Sequence, residues 1–409
     1  MSEAASPAPA GPAPAAPAPA ASAPGSPAPA APAPGSPAPA GPPAAPAPVL
    51  PDLAAADVVD LTAAVCDIPS VSGAEGPLAD AIETALRRQP HLEVQRDGDD
   101  VVASTRLGRA RRVVIAGHID TVPVQANLPT RRVTAADGTE ELWGRGTVDM
   151  KGGVAVALHL AAALTAPRWD VTWVFYDHEE VAAELNGLGR LVRRHPDWLA
   201  ADLAVLGEPT AGGIEGGCNG TLRAEVRLTG RTAHSARAWR GVNAVHAAGE
   251  VLRRLAEYRP REVEVDGLVY REGLSAVGIA GGIAANMIPD SCVVTVNYRF
   301  APSRTPAEAE AHVREVFAGY DVAVTDLAGG ARPGLDDEAV AGFVAAVTAV
   351  TGGRPGPKYG WTDVARFAEL GVPAVNFGPG DPMLAHADDE RCPTAQVRAC
   401  AAALRSWLG

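Results

Sequence analysis

Two adjacent glutamates, Glu179 and Glu180, close the apolar run Val171-Thr172-Trp173-Val174-Phe175-Tyr176, and Gly117-His118-Ile119-Asp120-Thr121 follows a similar run. Neighbouring residues at the mouth of a strand project in different directions, so one carboxylate can hold a metal while the other handles protons. His118 and Asp120 are two apart, which puts both on one face and lets Asp120 reach the imidazole nitrogen turned away from a metal, fixing its tautomer. Asp149 stands at the glycine-rich turn Gly144-Arg145-Gly146-Thr147-Val148-Asp149, where a carboxylate could bridge two cations. Glu208 ends another apolar run, Pro209 stopping the ladder behind it, and His386 lies in a late loop. Hard nitrogen and oxygen ligands without cysteine suit zinc, cobalt or manganese in an open catalytic site, and two metals ~3.5–4 Å apart would need about this many. The chemistry indicated is metal-dependent hydrolysis. Taken singly, a residue of this kind is more often a cap or a surface group; the case rests on several strand ends each delivering one. His91, His159, His178, His195, His246 and His312 read as structural.

Such ligands need strands to carry them. Apolar spacing is helical from Asp57 to Arg88 with a break near Pro69 to Gly73. Strand candidates follow at Val101 to Thr105 and Val113 to Ala116. Gly152 to Leu164 then reads as a helix, Val171 to Tyr176 as a buried strand, Leu185 to Arg194 as a helix and Leu203 to Leu206 as a buried strand. Continuous apolar strands between helices imply a sheet covered on both faces, and such sheets place their sites at the carboxyl ends of strands. After Gly220 the pattern becomes β-α-β-β-α-β: strands at Thr221 to Thr229, Ser275 to Ile279, Cys292 to Phe300 and Asp321 to Thr325, helices at Val242 to Tyr258 and Pro306 to Phe317. That is a split β-α-β layer with one open sheet face. The α/β style returns with helix Asp336 to Thr351, strand Ala374 to Phe377 and helix Thr394 to Leu408. The chain therefore reads as a tail (1–50), an α/β domain in two parts (51–220 and 332–409), and a smaller α+β insert between them (221–331).

Residues 1–50 are almost entirely Ala, Pro, Gly and Ser, a composition that favours polyproline II and cannot build a core, so a disordered tail is expected. It lacks the basic start and continuous apolar stretch of a secretory leader. A net charge of −13 argues against nucleic-acid or anionic-membrane partners, and no run of eighteen apolar residues suggests a membrane span. Five cysteines without a Cys-x-x-Cys pair read as reduced thiols in a cytoplasm. Basic charge is carried by arginine except at Lys151 and Lys358; Lys151, beside Asp149, hints at a local requirement, a solvated side chain being the alternative.

Together, Gly117 to Pro123, Gly144-Arg145-Gly146 leading to Asp149-Met150-Lys151-Gly152-Gly153, Glu179-Glu180, Gly207-Glu208-Pro209-Thr210 and His386 resemble the co-catalytic aminopeptidase-type family of aminoacylases, acetylornithine deacetylases and succinyl-diaminopimelate desuccinylases. The resemblance spans nearly all of residues 55–409. It implies a zinc-aminopeptidase-like α/β catalytic domain interrupted by a ferredoxin-like lid and dimerisation domain. It further implies that His118 and Glu208 hold one metal, that Glu180 and His386 hold the other, and that Asp149 bridges them. Glu179 would be the general base, Asp120 would orient His118, and His234 in Ala233-His234-Ser235-Ala236 would steady the oxyanion, often across a dimer. Asn286 and Arg299 look like substrate contacts, with Arg299 suited to gripping a carboxylate. The lid loop Ala233 to Asn243, Tyr359-Gly360-Trp361-Thr362-Asp363 and Asn376 to Gly380 are most similar to the actinobacterial desuccinylase branch. This implies hydrolysis of N-succinyl-LL-2,6-diaminopimelate, with N-acetylornithine or another N-acyl amino acid as the alternative. Gly217-Cys218-Asn219-Gly220 and Trp361 depart from better-known desuccinylases, which carry a basic residue and a small hydroxylated residue there.

Overall fold

The computed structural model describes residues 47–409. The expected tail falls outside that range except for residues 47–50, and there Leu50 is buried in the main core, so packing begins before residue 51.

Eight strands form one sheet, in the order Glu93–Asp97, Asp100–Ser104, Asp170–Tyr176, Arg112–His118, Leu203–Leu206, Ala374–Asn376, Ile214–Gly216 and Pro355–Pro357. The four central strands, Asp170–Tyr176 through Ala374–Asn376, are parallel. Strands Asp170–Tyr176 and Leu203–Leu206 are buried at every position, as strands sandwiched between helices must be. The two-residue side-chain period divides them cleanly. Val113 and Ile115 face one cluster with helices Val58–Cys66, Gly76–Arg87, Lys151–Ala163, Glu338–Thr351 and Thr394–Leu408. Val114 and Ala116 face another with Gly187–Arg194 and Val364–Glu369. Helix Lys151–Ala163 lies so close to the sheet that a Cβ at Gly153 would stand 2.1 Å from the Gly207 carbonyl oxygen. Glycine there lets the turn bearing Asp149 press against the strand end bearing Glu208.

A second sheet is antiparallel, in the order Gly273–Gly281, Ser291–Phe300, Gly220–Thr229 and Asp321–Ala328. Helices Ala244–Glu257 and Pro306–Val316 cover one face through a core that includes Leu222, Val226, Val294 and Tyr298. The other face carries the alternate residues and, among the described residues, no helix, as the sequence pattern anticipates. A hairpin, Glu262–Val265 with Leu268–Arg271, interrupts that pattern. Also unforeseen is a three-stranded sheet of Arg391–Pro393, Glu140–Trp143 and Arg131–Thr134, whose short, charged strands carry little apolar alternation. The helix expected from Leu185 starts at Gly187 instead, because Asn186 caps it by accepting from the Gly189 N–H at 2.8 Å.

Candidate active site

The parallel strands end at one rim, and the loops beyond them bring the chemistry together. His118 is the last residue of its strand, and Glu179 and Glu180 follow Tyr176. Asp149 turns one oxygen toward each of two histidines: Oδ1 lies 3.2 Å from His118 Nε2 and Oδ2 lies 3.4 Å from His386 Nε2. His386 Nε2 also meets Glu180 Oε1 at 2.9 Å. Two trios present ligand atoms within 4.8 Å of one another, His118 with Glu179 and Glu180, and Asp149 with Glu180 and His386. Glu208 is buried and close enough to Asp149 and His118 to feel the charge of both, though it belongs to neither trio. His386 holds its place with a left-handed backbone, φ +64°, a conformation that costs a non-glycine residue energy and is commonest at functional sites.

The loop after Tyr176 is held by its backbone. Four consecutive N–H groups donate to buried carboxylates. Asp177 N reaches Asp100 Oδ1 at 3.0 Å, His178 N reaches Glu75 Oε1 at 3.2 Å, and Glu179 N and Glu180 N reach the two oxygens of Asp120 at 3.0 Å each. Asp120 therefore does something the His-x-Asp spacing did not indicate. Its carboxylate is 3.4 Å from His118 Nδ1, but that nitrogen lies closer, at 3.0 Å, to the Asp120 carbonyl oxygen. The carboxylate's shorter contacts are with the two glutamate N–H groups and with Ser72 Oγ, which donates at 2.7 Å. Glu390 performs the same service for the other loop, accepting from Val148 N and Asp149 N at 2.9 and 3.1 Å while paired with Arg145 at 2.8 Å. His178 lies against Glu75 and Asp177, in keeping with a structural role.

The electrostatics follow from burial. Burial pushes the Glu179 carboxyl well above the usual range, and Asp363, Glu208 and Glu180 add to this against the pull of His118. Burial, with Asp149, lifts Glu208 to about 7 despite Lys358 and His118. Asp120 goes the other way: burial opposes it, yet hydrogen bonds from His118, Ser72 and Glu180 N bring it to about 2. Lys151 is buried, lowered by that burial to about 8, and donates to the Ile68 carbonyl at 2.8 Å. It is a buried cation among Asp67, Asp120 and Glu390, not a solvated one.

Glu179 and Glu208 are raised by burial while Asp149, against its burial, is lowered by hydrogen bonds from His118 and His386. Carboxylates and imidazole nitrogens gathered in two trios without cysteine fit a divalent cation of the zinc, cobalt or manganese kind. His118, Asp149, Glu180, His386 and Glu179 are the groups within ligand spacing. Of the residues expected from the insert, His234 belongs to neither trio. His234 is exposed and accepts from Ala236 N at 3.1 Å. The Asn286 carbonyl accepts from Ser235 N at 2.8 Å. Arg299, half-buried on the helix-free face, donates to Asn297 Oδ1 at 3.0 Å, and its pKa is lowered by burial and by Arg223. Trp361 donates from its indole to the Gly329 carbonyl at 3.1 Å, tying its loop to the end of strand Asp321–Ala328. Sequence reasoning passed over the loop anchors Glu75, Asp100 and Glu390, which belong to no motif. It also passed over Lys358, whose only signal was being one of two lysines.

An α/β sheet with histidines and carboxylates gathered at its strand ends is the architecture of a metal-dependent hydrolase. Residues 114–409 match the model of peptidase family M20/M25/M40, and the chain belongs to that family. It is 55% identical over 356 residues to a Mycobacterium tuberculosis protein assigned as the succinyl-diaminopimelate desuccinylase DapE, covering 86% of this chain and 98% of that one. It is 49% identical over 364 residues to succinyl-diaminopimelate desuccinylase of Corynebacterium glutamicum, covering 86% and 96%. Among solved structures, a tripeptidase from Staphylococcus aureus aligns with a TM-score of 0.69 at 20% identity, over 86% of this chain and 96% of that one, a likeness of fold.

Proposed function

We propose that this protein is a two-metal amidohydrolase that cleaves N-succinyl-LL-2,6-diaminopimelate to succinate and LL-2,6-diaminopimelate, a step in lysine and peptidoglycan synthesis. The observation that carries the reaction class is Asp149, with one oxygen toward His118 and the other toward His386, the arrangement a bridging carboxylate requires. Identities of 55% and 49% to proteins named for this activity support the substrate.

His118, Asp149, Glu180, Glu208 and His386 would hold the metals, which when bound supply Lewis-acid polarisation of the acyl carbonyl and acidify water. Glu179 takes the proton of the attacking water on its carboxylate and delivers it to the departing amine, a task suited to a carboxyl group whose pKa is raised by burial. Asp120 fixes the backbone of both glutamates. His234 donates to the developing oxyanion, and Asn286 and Arg299 meet the substrate, Arg299 being a half-buried cation with no carboxylate partner among the described residues.

Residues 221–331 act as a lid and dimerisation domain. Strand Gly273–Gly281 is the sheet's outer strand, and it leaves Val277 61% and Ile279 53% exposed. An apolar, unpaired strand edge of this kind suits a second copy of the chain. All five cysteines are free and buried, and among the described residues no helix is long and apolar enough to cross a membrane, which supports a cytoplasmic enzyme. The test is turnover by metal-loaded protein on N-succinyl-LL-2,6-diaminopimelate and on N-acetylornithine. Efficient cleavage of the acetyl substrate with none of the succinyl one would transfer the assignment to the deacetylases.

A further inference from the structure

We propose that Arg231, Arg237 and Arg240 form a carboxylate-receiving site on the loop that carries His234, and that they bind the free carboxylates of the substrate; this rests on the substrate class proposed above. The three side chains line a cleft of about 590 Å³ together with Thr232, Ala233 and His234. All three arginines are exposed, and none has a carboxylate within ion-pair distance among the described residues. Exposed arginines without an ion pair occur elsewhere in the chain, Arg88 and Arg193 among them; what marks these three is that they line one cleft together with His234. A protein of net charge −13 has carboxylates to spare, so three unpaired guanidinium groups around one cleft leave their donor forks available to an incoming anion.

The loop is built to hold them in place. Arg231 N donates to the Val242 carbonyl at 2.8 Å and Val242 N to the Arg231 carbonyl at 2.9 Å, closing the loop at its base. Arg231 Nε donates to the Arg240 carbonyl at 3.1 Å, tying two of the three arginine positions together. A Cβ at Gly230 would stand 2.1 Å from the Val242 carbonyl oxygen, so glycine permits the closure. The same loop is stitched to the Asn286 segment by Ser235 N to the Asn286 carbonyl and by Ile288 N to the Ala233 carbonyl, both at 2.8 Å. His234 and Asn286, assigned to the oxyanion and the substrate, thus share one rigid frame with the arginines. A ligand reaching the histidine enters the field of all three. The substrate class fits the site: an N-succinyl diamino diacid carries three carboxylates against one ammonium, an excess of anionic oxygens that suits guanidinium forks.

The experiment compares Arg237→Gln, Arg240→Gln and the double variant with wild type at fixed ionic strength. Arg253→Gln, on the outer face of helix Ala244–Glu257, is the control for the change in net charge. Wild type is first shown to cleave N-succinyl-LL-2,6-diaminopimelate; failure there overturns the substrate reading itself. Given that activity, KM in the double variant should rise roughly tenfold or more while kcat changes less than about threefold, the signature of lost binding common to ground and transition states. Calorimetric titration of the same substrate into Glu179→Gln protein should weaken in parallel when the arginine changes are added. A KM within about twofold of wild type, or an equal rise in the Arg253→Gln control, overturns the proposal. So does a fall in kcat with KM unchanged, which would assign the arginines to loop structure or chemistry instead.

Discussion

Replacing Asp120 with Asn keeps the size of the side chain and removes the property the site uses. The carboxylate is fully buried and accepts from Glu179 N, Glu180 N and Ser72 Oγ. Asparagine offers a single acceptor oxygen, so one glutamate N–H must face an NH2 group and lose its partner, at a cost of about 1–3 kcal/mol for a buried donor. Asp120 also titrates at about 2 rather than the ordinary 3.8, and at about 1.4 kcal/mol per pH unit that preference for the ionised form is worth about 2 kcal/mol. The two figures overlap, because the same hydrogen bonds depress the pKa, so the expected loss in unfolding free energy at pH 7 is about 3 kcal/mol. A depressed folded-state pKa contributes stability that is present above the ordinary carboxylate pKa and lost as pH falls through the folded one. Urea unfolding should therefore show wild type losing its advantage over Asp120→Asn as the pH falls from about 4 toward 2. Activity should suffer as well, since a displacement of about 1 Å in a positioned group can cost about a hundredfold. An unfolding free energy within about 1 kcal/mol of wild type at pH 7, with kcat preserved, would refute the claim that Asp120 holds the glutamate loop.

Glu179→Gln should lower kcat by about 10²–10⁴ while the protein retains its metal by atomic absorption; loss of metal instead would make Glu179 a ligand, as its place in the His118 trio also allows. Asp363 is among the groups that raise the Glu179 pKa. Neutralising it as Asp363→Asn makes the base easier to ionise, so the acid limb of the kcat/KM profile should move to lower pH, and a shift to higher pH would contradict the assigned interaction.

The legible parts of this protein are those where a single strong pattern decides the outcome. Strands such as Val171 to Tyr176 and Leu203 to Leu206 are continuous apolar runs because helices cover both faces, and the residues just beyond such runs are readable as strand-end chemistry. Three-residue strands, such as Ile214–Gly216 and Pro355–Pro357, are too short to show a period and are fixed by neighbours distant in sequence. The loop anchors are hidden for a related reason. Asp100 and Glu75 act on Asp177 and His178 from 77 and 103 residues away, by accepting from backbone N–H groups that every residue type but proline possesses. Nothing local in the sequence marks an acceptor for a distant backbone. Arg299 shows the opposite limit: Asn297, two residues earlier on the same strand, shares its face by alternation, but its like-charged companion Arg223 on the neighbouring strand emerges only from sheet register.

The distribution of buried charge explains why the site is where it is. Each cation near the strand ends is already engaged. Lys151 donates to the Ile68 carbonyl, Arg145 pairs with Glu390, Arg190 bridges Asp100 and Asp177 at 2.7 and 2.9 Å, and Lys358 meets Glu215 at 2.9 Å. The pairs with Arg145 and Arg190 set positive charge beside the anchors Glu390 and Asp100, offsetting part of the burial that raises their pKa values. Asp149, Glu179, Glu180 and Glu208 receive no such partner; among the described residues no lysine or arginine pairs with any of them, and only His118 and His386 do. Uncompensated buried charge costs several kcal/mol per ion, and the raised pKa values of Glu179 and Glu208 are the local expression of that cost. A fold that places its arginines at the anchors and leaves Glu179 and Glu208 without an ion-pair partner at the same rim, beside Asp149 and its two histidines, has a place there for a cation from outside.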